Sequence, residues 1–256
     1  MPKTPRLYLD TPLGDGATVA IDEGQAHYLR NVLRRGPGDA VLVFNARDGE
    51  FSGSLLSLAK RGAEVSLSAR VRASETEPDL WLLFAAVKRD AVDLIAQKAT
   101  ELGVSRLQLV ATERTNAARV NSARLASIAK EAAEQCGRLS IPVVMEATAL
   151  STVLADWPED RRLMYCDEAG DAESEEWGGR AGRAMPALEA LGRASEGPWA
   201  ILIGPEGGFS PDERKRLRGL PFVAPVTLGP RILRADTAAI AAIVLWQAAL
   251  GDLKRS

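Results

Sequence analysis

The 256-residue sequence contains only two cysteines, Cys136 and Cys166, and one histidine, His27. The two cysteines have neither the spacing of a metal site nor the density of a disulfide framework. We expect them to be buried thiols in a reducing compartment. A lone histidine is more often a packing residue than a catalyst, and we expect this of His27.

Long hydrophobic runs are also missing. The longest, such as Leu80–Val87 and Ala238–Leu245, are far shorter than the roughly 20 residues needed to cross a bilayer. A secretory signal has an apolar stretch after its basic residues, and no such stretch follows the basic side chains of Met1–Arg6. These features predict a cytoplasmic protein.

The chain has no excess of positive charge, because its formal net charge is −2. This excludes a polycation that coats nucleic acid, but the charges are unevenly distributed. Acidic residues crowd into Asp167–Glu176, for which the sequence offers no explanation, whereas Arg30, Arg34 and Arg35 form a local basic patch near the start.

Short strand patterns separated by turns fill the N-terminal part of the chain, with one helical pattern from Gly24 to Leu33. In that helix Ala26, Leu29, Val32 and Leu33 form an apolar stripe, and Arg30 and Arg34 lie on the other side. The polar stretch Arg72–Asp79 resembles a linker. We predict a small β-barrel domain over residues 1–72 and a second domain over 73–256. The predicted strands are Arg6–Leu9, Ala17–Ile21, Ala40–Phe44, Glu50–Leu58 and Ala63–Val71.

Beyond the linker, apolar strands alternate with longer helices, which predicts an α/β fold with a parallel sheet covered by helices. The polar segment Asp167–Pro198 is interpreted as a surface excursion with one helix near Pro186–Leu191. The predicted strands are Leu80–Val87, Arg106–Val110, Leu163–Cys166, Trp199–Ile203 and Val223–Leu228. The predicted helices are Asp90–Leu102, Ser122–Cys136, Pro211–Arg218 and Thr237–Leu250.

Two glycine-containing loops follow strands in the C-terminal half. The first, Gly204–Ser210, has three glycines and a proline, which let the backbone approach a ligand closely. Ser210 is a predicted N-cap, with Pro211 at the first helical position and Glu213 completing a capping box. The second loop begins at Leu228. We expect their strands to lie side by side, so that the two loops form a crevice at the carboxyl edge of the sheet, where a cofactor fits.

Other interpretations of these loops are weaker. Each loop could be only a tight connection between a strand and a helix, but two such loops in succession disfavour this interpretation. Neither ends in the Lys-Ser/Thr of a phosphate-binding loop, and Glu206 and Asp236 would repel phosphate. A dinucleotide site should follow the first strand, yet Lys88-Arg89-Asp90 lacks glycine. An α/β-hydrolase would need a Gly-x-Ser-x-Gly elbow, which is absent.

The sequence resembles the ribosomal RNA small-subunit methyltransferase E family, in the SPOUT class of knotted methyltransferases. The resemblance covers nearly the whole chain. Its motifs are His27–Arg34, Lys98–Val104, Thr112–Arg114, Glu131–Arg138 with Ile141-Pro142, Gly204–Ser210 and Leu228–Ala242.

The resemblance implies an N-terminal PUA-like barrel, a C-terminal α/β domain with a deep trefoil knot, and a homodimer. It further implies that S-adenosylmethionine donates a methyl group, without a metal, to N3 of a uridine in 16S ribosomal RNA of the small subunit. The alternatives are a SPOUT methyltransferase acting on another RNA and a non-catalytic RNA-binding protein of ribosome assembly.

Family resemblance also assigns site residues. Cofactor binding, largely by backbone, maps to Ile203, Gly204, Pro205, Glu206, Gly207, Gly208, Leu228, Gly229, Arg231, Ile232 and Leu233. Arg234 is the candidate for stabilising charge on the uracil oxygens, unless it forms a structural ion pair with Asp236 or Glu206. Asp236, a second catalytic candidate, replaces the family's usual glutamate with a shorter side chain, and it could instead cap the last helix.

Contacts to RNA phosphates need exposed cations, each of which has a solvated surface charge as its alternative role. The candidates are Arg6, Arg30, Arg34 and Arg35 in the barrel and Lys98, Arg114 and Arg138 in the second domain.

Overall fold

The computed structural model describes residues 4–115, 120–171, 179 and 181–254, so part of the acidic Asp167–Glu176 stretch lies outside the described residues. The chain forms two compact units. The N-terminal unit consists of Met1–Thr76 together with Lys130–Ile141, and the C-terminal unit consists of Glu77–Ala129 and Pro142–Ser256. The first division falls close to the boundary predicted after residue 72, but the inclusion of Lys130–Ile141 has no counterpart in the sequence pattern.

The N-terminal unit contains a five-stranded sheet in the order β1-β3-β4-β5-β2, antiparallel except for the β1–β3 pair. Three register shifts interrupt the β4–β5 pairing, and bulges of this kind bend strands as a small barrel requires. The strands are β1 (Arg6–Tyr8), β2 (Thr18–Ile21), β3 (Ala40–Asn45), β4 (Gly49–Ala59) and β5 (Gly62–Arg72), which agree with the predicted ones to within two residues.

The predicted helix of this unit has two parts, the α-helix α1 (Glu23–His27) and a π-helical turn, Tyr28–Val32. The wider π turn changes which side chains face the core. Ala26 and Leu29 are fully buried as expected, but Val32 is 59% exposed, so its predicted place in the apolar stripe is wrong. His27 is also exposed rather than packed. The turn ends at Val32, and the φ of 54° at Arg34, two residues farther on, prevents the helix from continuing.

Arg6 is a buried structural residue, although the sequence made it a candidate for RNA contact. Its side chain is only 5% exposed, and Nε lies 2.5 Å from Oε1 of Glu50. The remaining guanidinium nitrogens donate to the carbonyl oxygens of Ala133, Glu134 and Arg138 at 2.8 to 3.1 Å. The Arg6 side chain therefore joins β1 to the Lys130–Ile141 segment, and a buried residue whose three guanidinium nitrogens all donate hydrogen bonds in the interior is not available to RNA.

The C-terminal unit contains a seven-stranded, fully parallel sheet in the order β10-β12-β9-β11-β6-β7-β8. Every residue of the central strand β11 is buried, as expected when helices cover both faces of a parallel sheet. Two of the strands, β8 and β10, were not predicted. The strands are β6 (Leu80–Ala85), β7 (Arg106–Ala111), β8 (Val143–Ala149), β9 (Arg162–Cys166), β10 (Met185–Pro186), β11 (Trp199–Ile203) and β12 (Val223–Thr227).

The helices confirm the predicted α/β layering. One face of the sheet packs against α2, α3, α5 and α7, and the other against α4 and α6. Helix α4 was not predicted. The helices are α2 (Arg89–Glu101), α3 (Ser122–Cys136), α4 (Leu150–Ala155), α5 (Ala187–Gly192), α6 (Pro211–Arg218) and α7 (Ala235–Leu250).

Strands β11 and β12 do not lie side by side, contrary to the prediction for the two loops. Strand β9 pairs with β11 on one edge and with β12 on the other. The loop that follows β9, starting at Asp167, therefore enters the space between the two glycine-containing loops. The interpretation of Asp167 as the start of a surface excursion is wrong, because its side chain is only 2% exposed.

Of the two cysteines, Cys166 is buried as expected, and burial raises the pKa of its thiol above the usual value. Cys136 is exposed, so the expectation that both are buried is wrong for this one. Within the part of the chain that the structure describes, no helix is both long and apolar enough to span a membrane.

We expect Arg6→Ala to lower the free energy of unfolding by about 3–5 kcal/mol, because the buried carboxylate of Glu50 loses its closest ion-pair partner. The measurement is urea unfolding followed by far-UV circular dichroism. Arg193→Ala is the matched control. Arg193, which follows the last residue of α5, forms an exposed i,i+4 ion pair with Glu189 in that helix. That variant should lose less than about 1 kcal/mol. Equal losses in the two variants would contradict a stabilising role for Arg6.

Candidate active site

The loop between β11 and α6 is fixed at its helical end by a capping box. The Ser210 hydroxyl accepts the amide hydrogen of Glu213 at 3.1 Å, and the Glu213 carboxylate accepts that of Ser210 at 3.0 Å. The predicted cap is thus confirmed, with Pro211 at the first helical position. The second carboxylate oxygen of Glu213 accepts the amide hydrogen of Glu113 at 2.9 Å, which braces the loop from the β7 side.

Inside the same loop the backbone at Gly204 packs directly against the ring of Phe209. A Cβ atom on Gly204 would lie 2.6 Å from that ring, so only glycine fits. The Phe209 ring in turn makes an edge contact with Tyr165, with 5.0 Å between centroids. Gly208 has a φ of 66°, in the region that favours glycine. These contacts turn the loop sharply back over the end of the sheet.

The second loop, which follows β12, is held by a carboxylate from the β9 loop. One oxygen of Glu168 accepts the amide hydrogen of Leu228, and the other accepts the hydroxyl hydrogen of Thr227, both at 2.8 Å. The Thr227 hydroxyl oxygen also accepts the amide hydrogen of Gly229 at 3.3 Å. Burial is the main reason that the pKa of Glu168 is raised.

The β9 loop itself is anchored to α6 by ion pairs. Arg214 donates to Asp167 at 3.0 Å and Arg218 donates to the second oxygen of Asp167 at 2.8 Å. Arg214 also donates to the carbonyl oxygens of Ala169 and Gly170. Because α6 begins directly after the Gly204–Ser210 loop, these bonds set the positions of the β9 loop and the first glycine loop relative to each other.

A cavity of about 480 Å³ lies among the three loops. Eight of the predicted cofactor residues line it, whereas Leu228, Gly229 and Arg231 of the second loop do not. The predicted residues in its wall are Ile203, Gly204, Pro205, Glu206, Gly207, Gly208, Ile232 and Leu233, and the β9 loop adds Cys166, Asp167, Glu168, Ala169, Gly170 and Asp171.

A second cavity, of about 740 Å³, adjoins the first. The two share four wall residues, Arg114, Glu206, Gly207 and Ala235. Both predicted catalytic residues, Arg234 and Asp236, line the second cavity. The rest of its wall comes from the end of β6 and the start of α2, namely Ala86, Val87, Lys88 and Ala91.

Arg234 and Asp236 are not paired with each other. Arg234 is exposed, and within the described ranges it makes no ion pair or hydrogen bond through its side chain, so the structural ion-pair alternative receives no support. One oxygen of Asp236 accepts the amide hydrogen of Thr237 at 2.6 Å and its hydroxyl hydrogen at 3.2 Å. The N-cap of α7 is Arg234 itself, so Asp236 lies in the first turn rather than at the cap.

The remaining candidates for RNA contact differ widely in exposure. Arg34 is exposed, and Arg30 and Arg35 are partly exposed on or beside the π turn. Lys98 donates to both carboxylate oxygens of Glu101 at 2.9 Å. Arg114 is exposed but donates to the Gly207 carbonyl oxygen at 2.9 Å, which places it at the cavities. Arg138 is buried, only 9% exposed, with its Nε donating to Ser140, and does not fit a surface contact.

Sequence reasoning missed Glu168, Asp167 and Lys88 as site residues. Their positions in the sequence could have indicated them, because each follows a buried strand and therefore lies at the carboxyl edge of the parallel sheet. The loop after β6 was set aside because it has no glycine, and the loop after β9 because it is acidic. Across the described part of the chain, no group of three or more His, Cys, Asp or Glu side chains is arranged to hold a metal ion.

Comparison with known protein families gives two matches. Residues 74–247 match the model described as RNA methyltransferase domain, and residues 21–68 match the model described as RNA methyltransferase PUA domain. The first match alone covers more than half of the chain. The N-terminal unit is therefore PUA-like, as predicted.

Individual relatives agree with these matches. The chain is 30% identical to the ribosomal RNA small subunit methyltransferase E of Synechocystis, over 91% of this chain and 74% of the relative. It is 29% identical to the protein of the same name from Rickettsia conorii, over 93% of both chains. The crystal structure of ribosomal RNA small subunit methyltransferase E from Neisseria gonorrhoeae bound to S-adenosyl methionine superposes with a TM-score of 0.81 at 29% identity, covering 98% of this chain and 99% of the other.

Gly204→Ala is expected to lower the free energy of unfolding by about 1–3 kcal/mol, because the new methyl group overlaps the Phe209 ring. Gly207→Ala is the matched control in the same loop, since its Cβ would meet only Arg114 at an ordinary 3.8 Å. Urea denaturation of both variants checks the difference. A Gly207→Ala variant as unstable as Gly204→Ala would show that the contact with Phe209 is not the reason.

Proposed function

The chain belongs to the ribosomal RNA small subunit methyltransferase E family, and from this membership we propose that it methylates N3 of a uridine in 16S ribosomal RNA of the small subunit with S-adenosylmethionine as donor. A reaction of this kind needs a donor site and an acceptor site in direct contact. The observation that carries the proposal is the common wall of the two cavities, formed in part by Gly207 and Ala235. Because these residues have little or no side chain, reacting groups on either side can approach each other.

The first cavity suits the cofactor. Its volume of about 480 Å³ lies in the range of small-molecule sites, roughly 300–1,000 Å³. Gly207 leaves backbone open to a ligand, while Ile203 and Leu233 offer apolar contact. S-adenosylmethionine supplies a methyl group on a positively charged sulfonium, so the transfer itself requires no metal. The role of the protein is to hold the donor and the acceptor base in line, and such positioning can lower the reaction barrier by roughly 7–11 kcal/mol.

The second cavity suits the acceptor base. Methylation at N3 removes the imide proton of uracil, and negative charge then collects on the two carbonyl oxygens. Arg234 lines this cavity with a guanidinium free of ion pairs within the described residues, and it can stabilise that charge. Asp236, in the first turn of α7, is the carboxylate that can accept the proton in the same cavity.

We expect Arg234→Ala to lower kcat by about 100- to 1,000-fold, the effect of removing one donor that stabilises an oxyanion. Binding of S-adenosylmethionine should stay unchanged, because Arg234 lines the second cavity and not the first. The assay measures labelled methyl transfer to small ribosomal subunits that lack the modification, followed by nucleoside analysis. Arg193→Ala, on an exposed pair away from both cavities, is the matched control.

The same assay separates the alternatives. N3-methyluridine that depends on Arg234 supports the proposal. Cofactor binding without transfer to the small subunit, but with transfer to another RNA, would favour a different substrate. Absence of any saturable cofactor binding would contradict an enzyme and favour a non-catalytic protein of ribosome assembly.

For RNA we propose contacts by the cations that remain exposed. Arg30, Arg34 and Arg35 lie together around the π turn of the PUA-like unit, where phosphates can reach them. Arg114 lies at the common wall of the cavities and suits the nucleotide that enters the second one. Lys98 is the weaker candidate, because Glu101 already accepts two hydrogen bonds from its ammonium group. Arg6 and Arg138 are withdrawn as candidates, since both are buried.

We further propose that the protein is a homodimer that uses the outer face of α7. A helix that is apolar on all sides is normally covered on all sides. The outer face of α7 carries Ala241, Val244 and Ala248, and Val244 is 37% exposed. The adjacent helix α2 adds Leu94, also 37% exposed. A second copy of the chain, the occupant implied by the family, would bury this surface.

Val244→Asp should convert the dimer to a monomer, because a carboxylate would have to be buried in an apolar interface. Sedimentation velocity at a fixed protein concentration checks the mass. Leu188→Asp is the control, as Leu188 on α5 is 57% exposed and lies outside the α7 face. A wild-type monomer, or an unchanged mass in Val244→Asp, would contradict this interface.

Two further features belong to the proposal. The trefoil knot implied by the family is compatible with the strand order, in which β12 passes β11 to pair with the far edge of β9. The proposed substrate, ribosomal RNA, also favours the cytoplasm as the place where the protein acts.

A further inference from the structure

Glu168 connects the β9 loop with the end of β12 at the cofactor cavity. It lies in the loop after β9 and lines the cavity. Its two carboxylate oxygens each accept one hydrogen bond from the end of β12, from the amide of Leu228 and from the hydroxyl of Thr227. Both bonds measure 2.8 Å, and both donors lie at the start of the second loop, whose residues Ile232 and Leu233 also line the cavity.

The hydrogen bonds continue into the second loop. The Thr227 hydroxyl, which donates to Glu168, also lies 3.1 Å from the carbonyl oxygen of Gly229 and accepts the amide hydrogen of that residue. Gly229 has a φ of 128°, a conformation that L side chains rarely adopt. The first turn of the second loop thus depends on one carboxylate that comes from a different strand.

We propose that Glu168 is a positioning residue for the cofactor, which holds the second loop in the conformation that binds S-adenosylmethionine. The proposal rests on the function proposed above. Glu168 acts through Leu228 and Thr227: the loop carries Ile232 and Leu233 into the cavity wall, and release of its anchor would let that wall move away. The negative charge of Glu168 at the same wall also favours the cationic sulfonium of the donor over the uncharged product.

Several charged groups surround Glu168. Asp167 precedes it in the chain and is paired with Arg214 and Arg218 of α6. Asp171 farther along the loop pairs with the same two arginines, and the thiol of Cys166 is buried next to the loop. Arg183 favours the carboxylate form, whereas burial is the larger effect and raises the pKa of Glu168. As the pH falls, Glu168 is therefore protonated at a higher pH than an exposed glutamate is.

The test measures the dissociation constant of S-adenosylmethionine by calorimetry for the wild type, Glu168→Ala and Glu168→Gln. Loss of two hydrogen bonds to a charged acceptor should weaken binding by about tenfold or more in Glu168→Ala. In Glu168→Gln the amide oxygen can accept from Leu228 and the amide nitrogen can donate to Thr227, so binding should stay within about threefold of the wild type. Glu189→Gln, on the exposed α5 pair, is the control.

Two readouts separate positioning from a merely structural role. The affinity of the wild type should fall toward that of Glu168→Gln, by up to about threefold, from neutral to acidic pH as Glu168 is protonated, whereas Glu168→Gln should show a flatter profile. The preference for S-adenosylmethionine over S-adenosylhomocysteine should also decrease in Glu168→Gln, because the charge is gone. Hydrogen exchange of residues 227–233 should be faster in Glu168→Ala, which checks the loop even if that variant loses overall stability.

Each result decides between specific alternatives. A wild type that binds no cofactor would overturn the proposed function and this inference with it. Normal binding by the wild type together with unchanged affinity in Glu168→Ala would overturn only the inference. Tighter binding in Glu168→Ala would also overturn it, because Glu168 would then obstruct the cavity instead of shaping it.

Discussion

The position of β9 between β11 and β12 is the constraint on which the site depends. In a parallel sheet the loops at the carboxyl ends of neighbouring strands meet at one edge. With β9 in the middle, its acidic loop separates the two glycine-containing loops and becomes the centre of the cavity. The glycine loops leave room for a ligand, and the β9 loop supplies the polar side chains that fasten them. Asp167 fixes the side toward α6, and its neighbour Glu168 fixes the side toward β12.

The division of roles between these two acidic residues follows from their partners. Asp167 is almost fully buried and is bonded to two guanidinium groups, so its charge is neutralised in place. Within the described residues Glu168 accepts hydrogen bonds from a backbone amide and a hydroxyl, and it carries its negative charge at the cavity wall. One residue therefore contributes rigidity, while the other adds an electrostatic influence on what the cavity binds. Arg234, which lines the second cavity, is the group proposed above to supply positive charge there.

Sequence patterns predicted the parts of this fold in which local and tertiary preferences agree. The bounds of β11, α3 and α6 match the predicted ones, because a run of apolar residues or a helical stripe ends at a clear turn or cap. Strand β8 was missed because none of its residues is fully buried, so it lacks the long apolar run of the inner strands. The order of β9, β11 and β12 was missed because pairing between distant strands leaves no local pattern. Arg6 was assigned to the surface because its charge alone does not reveal that Glu50 and three carbonyl groups accept its hydrogen bonds in the interior.

The inclusion of Lys130–Ile141 in the N-terminal unit has a consequence for the order of events during protein synthesis. Domains usually fold in turn as they leave the ribosome, beginning with the N-terminal one. Here Phe44 packs with Ala133 and Leu139, and Arg6 bonds to the carbonyl groups of the same segment. The PUA-like unit can complete its core only after the first strands of the methyltransferase domain have been translated. Folding of the unit that is proposed to bind RNA therefore depends on synthesis of part of the domain that is proposed to methylate it.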